Sequence, residues 1–185
     1  MKARHSSLVP VLFLVLGLAT SCGGSADPDR ALDDGLELQQ AGDLEGAAEQ
    51  YQQVLDARPT DKYANYNLGV IEGSEGRTQL AEAYYRAALD TDPAFVPALF
   101  NLAIVRTDVG ATQEAMDLYR RVLDARPDDA AAHFNLGILL QAAGRGERGL
   151  AELDAALALD PTLAGRLVTR PIGASGQDGP GVGNE

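Results

Sequence analysis

The side chains able to do chemistry are few and far apart. Cys22 is the sole cysteine, so no disulfide can close within the chain. Beyond His5 the only histidine is His133. No Ser/His/Asp or Cys/His set gathers around it, and metal-ligand spacing is absent. Acid pairs such as Asp33-Asp34 and Asp128-Asp129 stand where helices begin, and there they favour the helix dipole. Glycines are numerous, yet none forms a phosphate-cradling loop between a strand and a helix. The chain therefore reads as a non-enzyme without metal or cofactor. What remains is a set of three asparagines, Asn67, Asn101 and Asn135, spaced 34 residues apart. A primary amide both donates and accepts, so such a ladder suits the backbone of an extended peptide whatever its side chains. The competing role for asparagine here is local, bonding the backbone of its own repeat.

The elements that position these amides follow from the same spacing. Pro59, Pro93, Pro127 and Pro161 are 34 residues apart, without insertion or deletion. Around each one a frame recurs. In the second unit it is Leu68-Gly69, Gly76, Ala81, Tyr85, Ala88-Leu89 and Pro93, and in the third Leu102-Ala103, Gly110, Ala115, Tyr119, Val122-Leu123 and Pro127. The fourth gives Leu136-Gly137, Gly144, Leu153, Ala156-Leu157 and Pro161; the first, weaker at its start, has Gly35, Gly42, Ala47, Tyr51, Val54-Leu55 and Pro59. A period of this length means stacked units that bury a continuous core only together. Glycines at 42, 76, 110 and 144 suit a helix that stops and reverses, alanines a close helix crossing, and tyrosines the space one turn along.

This frame resembles the tetratricopeptide repeat, a 34-residue helix–turn–helix module, over four units: 28–61, 62–95, 96–129 and 130–163. The resemblance implies an all-α, right-handed solenoid. It departs from the family pattern in lacking Trp, in carrying Leu38, Glu72, Arg106 and Leu140 at the first-helix tyrosine, and in Gly149 for a small alanine. Family members line a concave groove with their first helices. Carried onto this chain, the groove residues are Tyr63, Tyr66, Asn67, Val70, Phe100, Asn101, Ile104, Phe134, Asn135 and Ile138, with Leu32, Asp33 and Leu36 in the first unit. That implies a protein partner held as a peptide segment. Members that grip a C-terminal carboxylate place Lys and Arg on this face; here the matching positions are Leu32, Leu36, Asn67, Pro97 and Asn101, which argues against such a ligand.

The ends of the array differ. In units two to four, the face that packs on the preceding unit is apolar: Ala64-Leu68-Ile71, Ala98-Leu102-Val105 and Ala132-Leu136-Leu139. In the first unit it is Arg30-Asp34-Glu37, which reads as an N-terminal cap with no unit before it. After Pro161, only Leu163, Ala164, Leu167 and Val168 precede Pro171, so the last hairpin (Leu150, Leu153, Leu157) is a candidate contact for a partner or a second copy. The alternative is that the short segment folds over it. From Arg170 to Glu185 the chain is rich in glycine and nearly free of apolar residues, and a disordered tail is expected.

Residues 1–21 read as an export signal: Lys2, Arg4 and His5, then an apolar stretch Leu8–Ala19, then small residues. A dozen helical residues rise about 18 Å, short of the roughly 30 Å of a hydrocarbon core. Leu18-Ala19-Thr20-Ser21-Cys22 resembles the lipobox of bacterial lipoproteins, which implies that Cys22 is lipidated and becomes the N-terminus. Gly23 after it implies, in enteric-type bacteria, sorting to the outer membrane. The tether 22–27 extends at most about 20 Å, so the array would sit close to its membrane, facing the periplasm. Removing the leader leaves 13 basic against 27 acidic residues, a net of −14, which is hostile to nucleic acid and to anionic headgroups. The sequence thus points to a membrane-anchored interaction scaffold of the bacterial cell envelope. The alternatives are a self-associating envelope component, or a regulatory subunit of a membrane complex.

Overall fold

The computed structural model describes residues 27–168, and these form four antiparallel helix pairs stacked side by side. The pairs are α1 (Pro28–Ala41) with α2 (Leu44–Ala57), α3 (Lys62–Ser74) with α4 (Thr78–Thr91), α5 (Val96–Asp108) with α6 (Thr112–Ala125), and α7 (Ala130–Ala142) with α8 (Gly146–Leu159). A single 3-10 turn, Pro161–Leu163, and a short α9 (Ala164–Val168) follow. The first helices begin at Pro28, Lys62, Val96 and Ala130, so the spacing of the prolines is the spacing of the hairpins.

Each hairpin turns on one glycine in the left-handed region: φ is 84° at Gly42, 76° at Gly76, 77° at Gly110 and 73° at Gly144. The amide after the glycine bonds back across the turn, for example Arg77 N to Glu72 O at 2.9 Å and Ala111 N to Arg106 O at 2.8 Å. These bonds satisfy carbonyls the helix end would otherwise leave open. The second helices stop two residues before each proline, and the residue between is extended: Arg58, Asp92, Arg126 and Asp160 all lie near φ −135° to −139°. Asp61 then caps α3 by accepting from Tyr63 N and Ala64 N, both at 3.0 Å, and Asp129 caps α7 through Ala132 N at 2.9 Å.

The repeated tyrosine and glycine are two halves of one contact. Tyr51, Tyr85 and Tyr119 are at most 4% exposed. A Cβ on Gly35 would come within 2.7 Å of the Tyr51 ring, and one on Gly69 within 2.6 Å of the Tyr85 ring. The fourth hairpin solves the same problem differently. Leu153 replaces the tyrosine, and Gly149 sits so close to α7 that an added Cβ would lie 2.9 Å from Gly137 O and 3.0 Å from Gln141 N. Gly149 therefore does more than weaken a contact: it lets two backbones touch. Gly149→Ala is expected to force α7 and α8 apart and cost about 1–3 kcal/mol, read as a lower urea midpoint.

The exposed ends follow the sequence reasoning in different ways. Arg30 and Glu37 face solvent, with Arg30 Nε 3.6 Å from Asp34. At the other end, Leu163 and Leu167 pack on Phe134, Leu153 and Ala156, so the short terminal segment does fold over the last hairpin. Leu150 and Leu159 stay exposed at 56% and 47%, but nine residues along a helix put them on opposite sides, and they share no patch. No described helix is long and apolar enough to cross a membrane. The leader, Cys22 with its tether up to residue 26, and the tail from Arg170 lie outside the described residues.

Candidate peptide-binding groove

α3 opens with an aromatic cluster. Tyr63, 49% exposed, meets Phe95 edge-on at 5.6 Å between ring centroids, and Tyr66 meets the same ring from another side at 5.5 Å. The Lys62 ammonium stands 5.1 Å from the centroids of both Tyr63 and Phe95 and 2.6 Å from Asp92 Oδ2. That hydrogen bond raises the lysine pKa and lowers that of Asp92, so the pair stays charged. Phe95 was not marked by its sequence position, the last of its repeat, where the neighbouring units carry Asp61 and Asp129. The aromatic at a capping position is the signal that could have found it.

The three asparagines share a register without sharing an environment. Asn101 is half-buried, donates to the Tyr66 hydroxyl at 3.4 Å and lowers the pKa of the Tyr85 hydroxyl, against the larger opposing effect of burial. Asn135 acts on the Tyr119 hydroxyl in the same direction. Each of these tyrosines comes from the preceding hairpin, so both amides face the joint between units and Asn101 bonds across it. Asn67 is only 8% exposed and carries no hydrogen bond among the described residues. By register its partner would be Tyr51, but that hydroxyl donates to Gln39 Oε1 at 2.8 Å instead. Asn101→Leu, which removes the bond to the Tyr66 hydroxyl, is expected to lower stability by about 1 kcal/mol, read as a lower midpoint in a thermal melt beside wild type.

Between the amides runs an apolar stripe. Val70 and Phe100 are half-buried, Phe100 lying edge-on to Tyr119 at 5.6 Å, and Ile104 is 39% exposed. Leu36 extends the stripe into α1 at 38% exposure. At the far end the stripe closes. Phe134 is only 5% exposed, lying under Leu163 with the Arg166 guanidinium 4.7 Å from its ring centroid, and Ile138 packs against the same cluster. The open part of the face therefore runs from α1 to α5. Burial in the hairpins beneath pushes the hydroxyls of Tyr51, Tyr85 and Tyr119 up to about 12.

The other faces serve the array itself. Arg106, in place of the family's tyrosine, reaches Glu82 at 3.0 Å and Glu114 at 2.8 Å. Arg86 pairs with the same two carboxylates, which staples α4, α5 and α6 together. His133 lies 2.6 Å from Glu152 Oε2 through Nδ1 and 3.0 Å from Pro127 O through Nε2, tying α7 to α8 and to the preceding turn. It is a structural residue.

Comparison with known proteins agrees with this architecture. A search of curated proteins finds no match. Among solved structures, a crystal structure of MamA superposes with a TM-score of 0.68 at 19% identity, over 75% of this chain and 81% of that one. MamA from Desulfovibrio magneticus, residues 41 to the end, gives 0.67 at 21% identity, over 75% and 77% of the two chains. A tetratricopeptide repeat protein from Parabacteroides merdae gives 0.66 at 23%, over 72% of this chain and 54% of that one. At such identities these likenesses concern the fold. Two sequence models described as tetratricopeptide repeat match residues 32–94 and 106–170, and the chain belongs to the tetratricopeptide repeat family.

Proposed function

We propose that this protein is a non-catalytic interaction scaffold, anchored by a lipid on Cys22 in a bacterial cell envelope, that binds an extended peptide segment of a protein partner in its concave groove. The observation that carries the reading is the open apolar stripe of Leu36, Tyr63, Val70 and Ile104 on consecutive first helices. Several acyl carbons at about 0.8 kcal/mol per buried methylene supply the membrane affinity, so the acidic protein surface need contribute nothing.

The test is crosslinking and affinity purification from native membranes, comparing the wild-type chain with Tyr63→Ala/Ile104→Asp. A partner held by the first and lost from the second, folded variant supports the groove. A partner retained by both moves the contact elsewhere. Cys22→Ala is expected to shift the protein from the membrane to the soluble fraction and to abolish incorporation of labelled fatty acid. Unchanged membrane association would remove the lipid from the proposal.

A further inference from the structure

One end of the groove already holds a piece of this chain. Leu163 and Leu167, which follow the last hairpin, share a cluster with Phe134 and Ile138 of the concave face, and the Arg166 guanidinium stands 4.7 Å from the Phe134 ring centroid. Phe134 is therefore 5% exposed, while its counterpart one unit back, Phe100, is only half-buried. α9 begins 34 residues after α7, so it stands in the place of a fifth first helix, but it runs for five residues where α7 runs for 13. It ends at residue 168, the repeat position that in earlier units is Tyr66, Phe100 and Phe134, and Pro171 bars a longer helix. The chain thus leaves α9 at the repeat position that lines the groove, not at the edge where the other first helices turn.

From this arrangement we infer that the segment 169–185 runs on along the open stripe and is the groove's resident occupant, held within the same chain. Its length suffices. These 17 residues extend up to about 56–61 Å, whereas four steps between packed helices, from α9 to α1, come to about 32–40 Å. Pro171, Pro180 and five glycines oppose a helix and suit an extended backbone. Low apolar content keeps the segment from building a core of its own, which is no obstacle to lying on a surface that the array supplies. Ile172 and Val182, ten residues apart, can anchor it on two different units. Arg170 brings a cation to an array with 25 acidic and 12 basic residues between 27 and 168. This contact goes beyond the partner reading and does not depend on it. Where a partner segment binds as proposed above, it must displace a tail tethered at an effective concentration on the order of millimolar, so the tail sets the threshold for binding.

The test is paramagnetic relaxation in the mature chain carrying Cys22→Ser and Asn184→Cys, with a nitroxide on the added cysteine. Broadening of the Val70 and Ile104 amides is expected to exceed that of amides in α2 and α4 at least twofold. It should fall to their level when Ile172→Asp/Val182→Asp is added, a change that leaves the hairpins untouched. Equal broadening of first and second helices, or a pattern that the double substitution does not alter, overturns the inference, while the partner reading is judged separately by its own purification. Mixing isotope-labelled chains that lack the nitroxide with spin-labelled ones tests the remaining possibility. Equal broadening in those chains would place the tail in the groove of a second copy and overturn the contact within one chain.

Discussion

Between pH 10 and pH 12 the solenoid is expected to unfold, and the cause is three tyrosines that no sequence feature marks as titrating. Burial raises the hydroxyls of Tyr51, Tyr85 and Tyr119 from 10.0 to about 12. Below pH 10 both folded and unfolded chains hold the proton, and the full stability is present. Above it the unfolded chain ionises first, so stability falls with each further unit and is lost as pH rises through the folded value. The loss is about 1.4 kcal/mol per pH unit for each tyrosine, or roughly 4 for the three together. By pH 12 that approaches roughly 8 kcal/mol, comparable with the whole stability of a typical domain at about 5–15 kcal/mol. Circular dichroism at the helix minimum during an alkaline titration reads the transition, and tyrosinate absorbance should rise with it. Full helicity retained at pH 12 would refute the account.

Tyr119→Ala is expected to cost about 3–5 kcal/mol, the largest effect of any single truncation in the array. The ring is 1% exposed, packs edge-on with Phe100 at 5.6 Å, and belongs to the largest cluster of buried residues, which spans α4 to α7. Truncation removes the filling of the third hairpin and, with it, the ring's share of the cluster that reaches α7. In a one-dimensional array the damage should be local. Amides of α6, α7 and α8 should lose protection in hydrogen exchange while those of α1 and α2 keep theirs. Tyr119→Phe, which keeps the ring, should cost about 1 kcal/mol. Uniform loss of protection along the chain would mean that the units are coupled more tightly than their neighbour contacts suggest.

The fold was legible because its determinants recur. A glycine that must reach positive φ, an alanine at a helix crossing and a proline that stops a helix each act within one hairpin, and periodicity repeats the message four times. The groove was legible only in outline. Register alone gave Asn67, Asn101 and Asn135 one environment, whereas the structure gives them two. The difference turns on Gln39, which captures the Tyr51 hydroxyl from the far end of α1. Phe134 had the pattern of an open groove residue, and its burial depends on Leu163 and Arg166, which lie past the last full repeat. Arg106 was visible as a departure from the family, but not as the centre of an ion-pair set, since Glu82 and Glu114 belong to different helices. Contacts between non-equivalent positions carry no period, and a reading built on period passes over them.

The pairing of Lys62 with Asp92 beside two rings has a practical side. Lys2 and Lys62 are the only lysines in the sequence, and Lys2 falls within the leader. A processed chain would thus display one side-chain amine, placed at the mouth of the groove next to Tyr63. An acylating dye or a photoreactive crosslinker attached through that amine would report from a single known address. Shielding of that address by a partner turns one covalent label into a direct readout of groove occupancy.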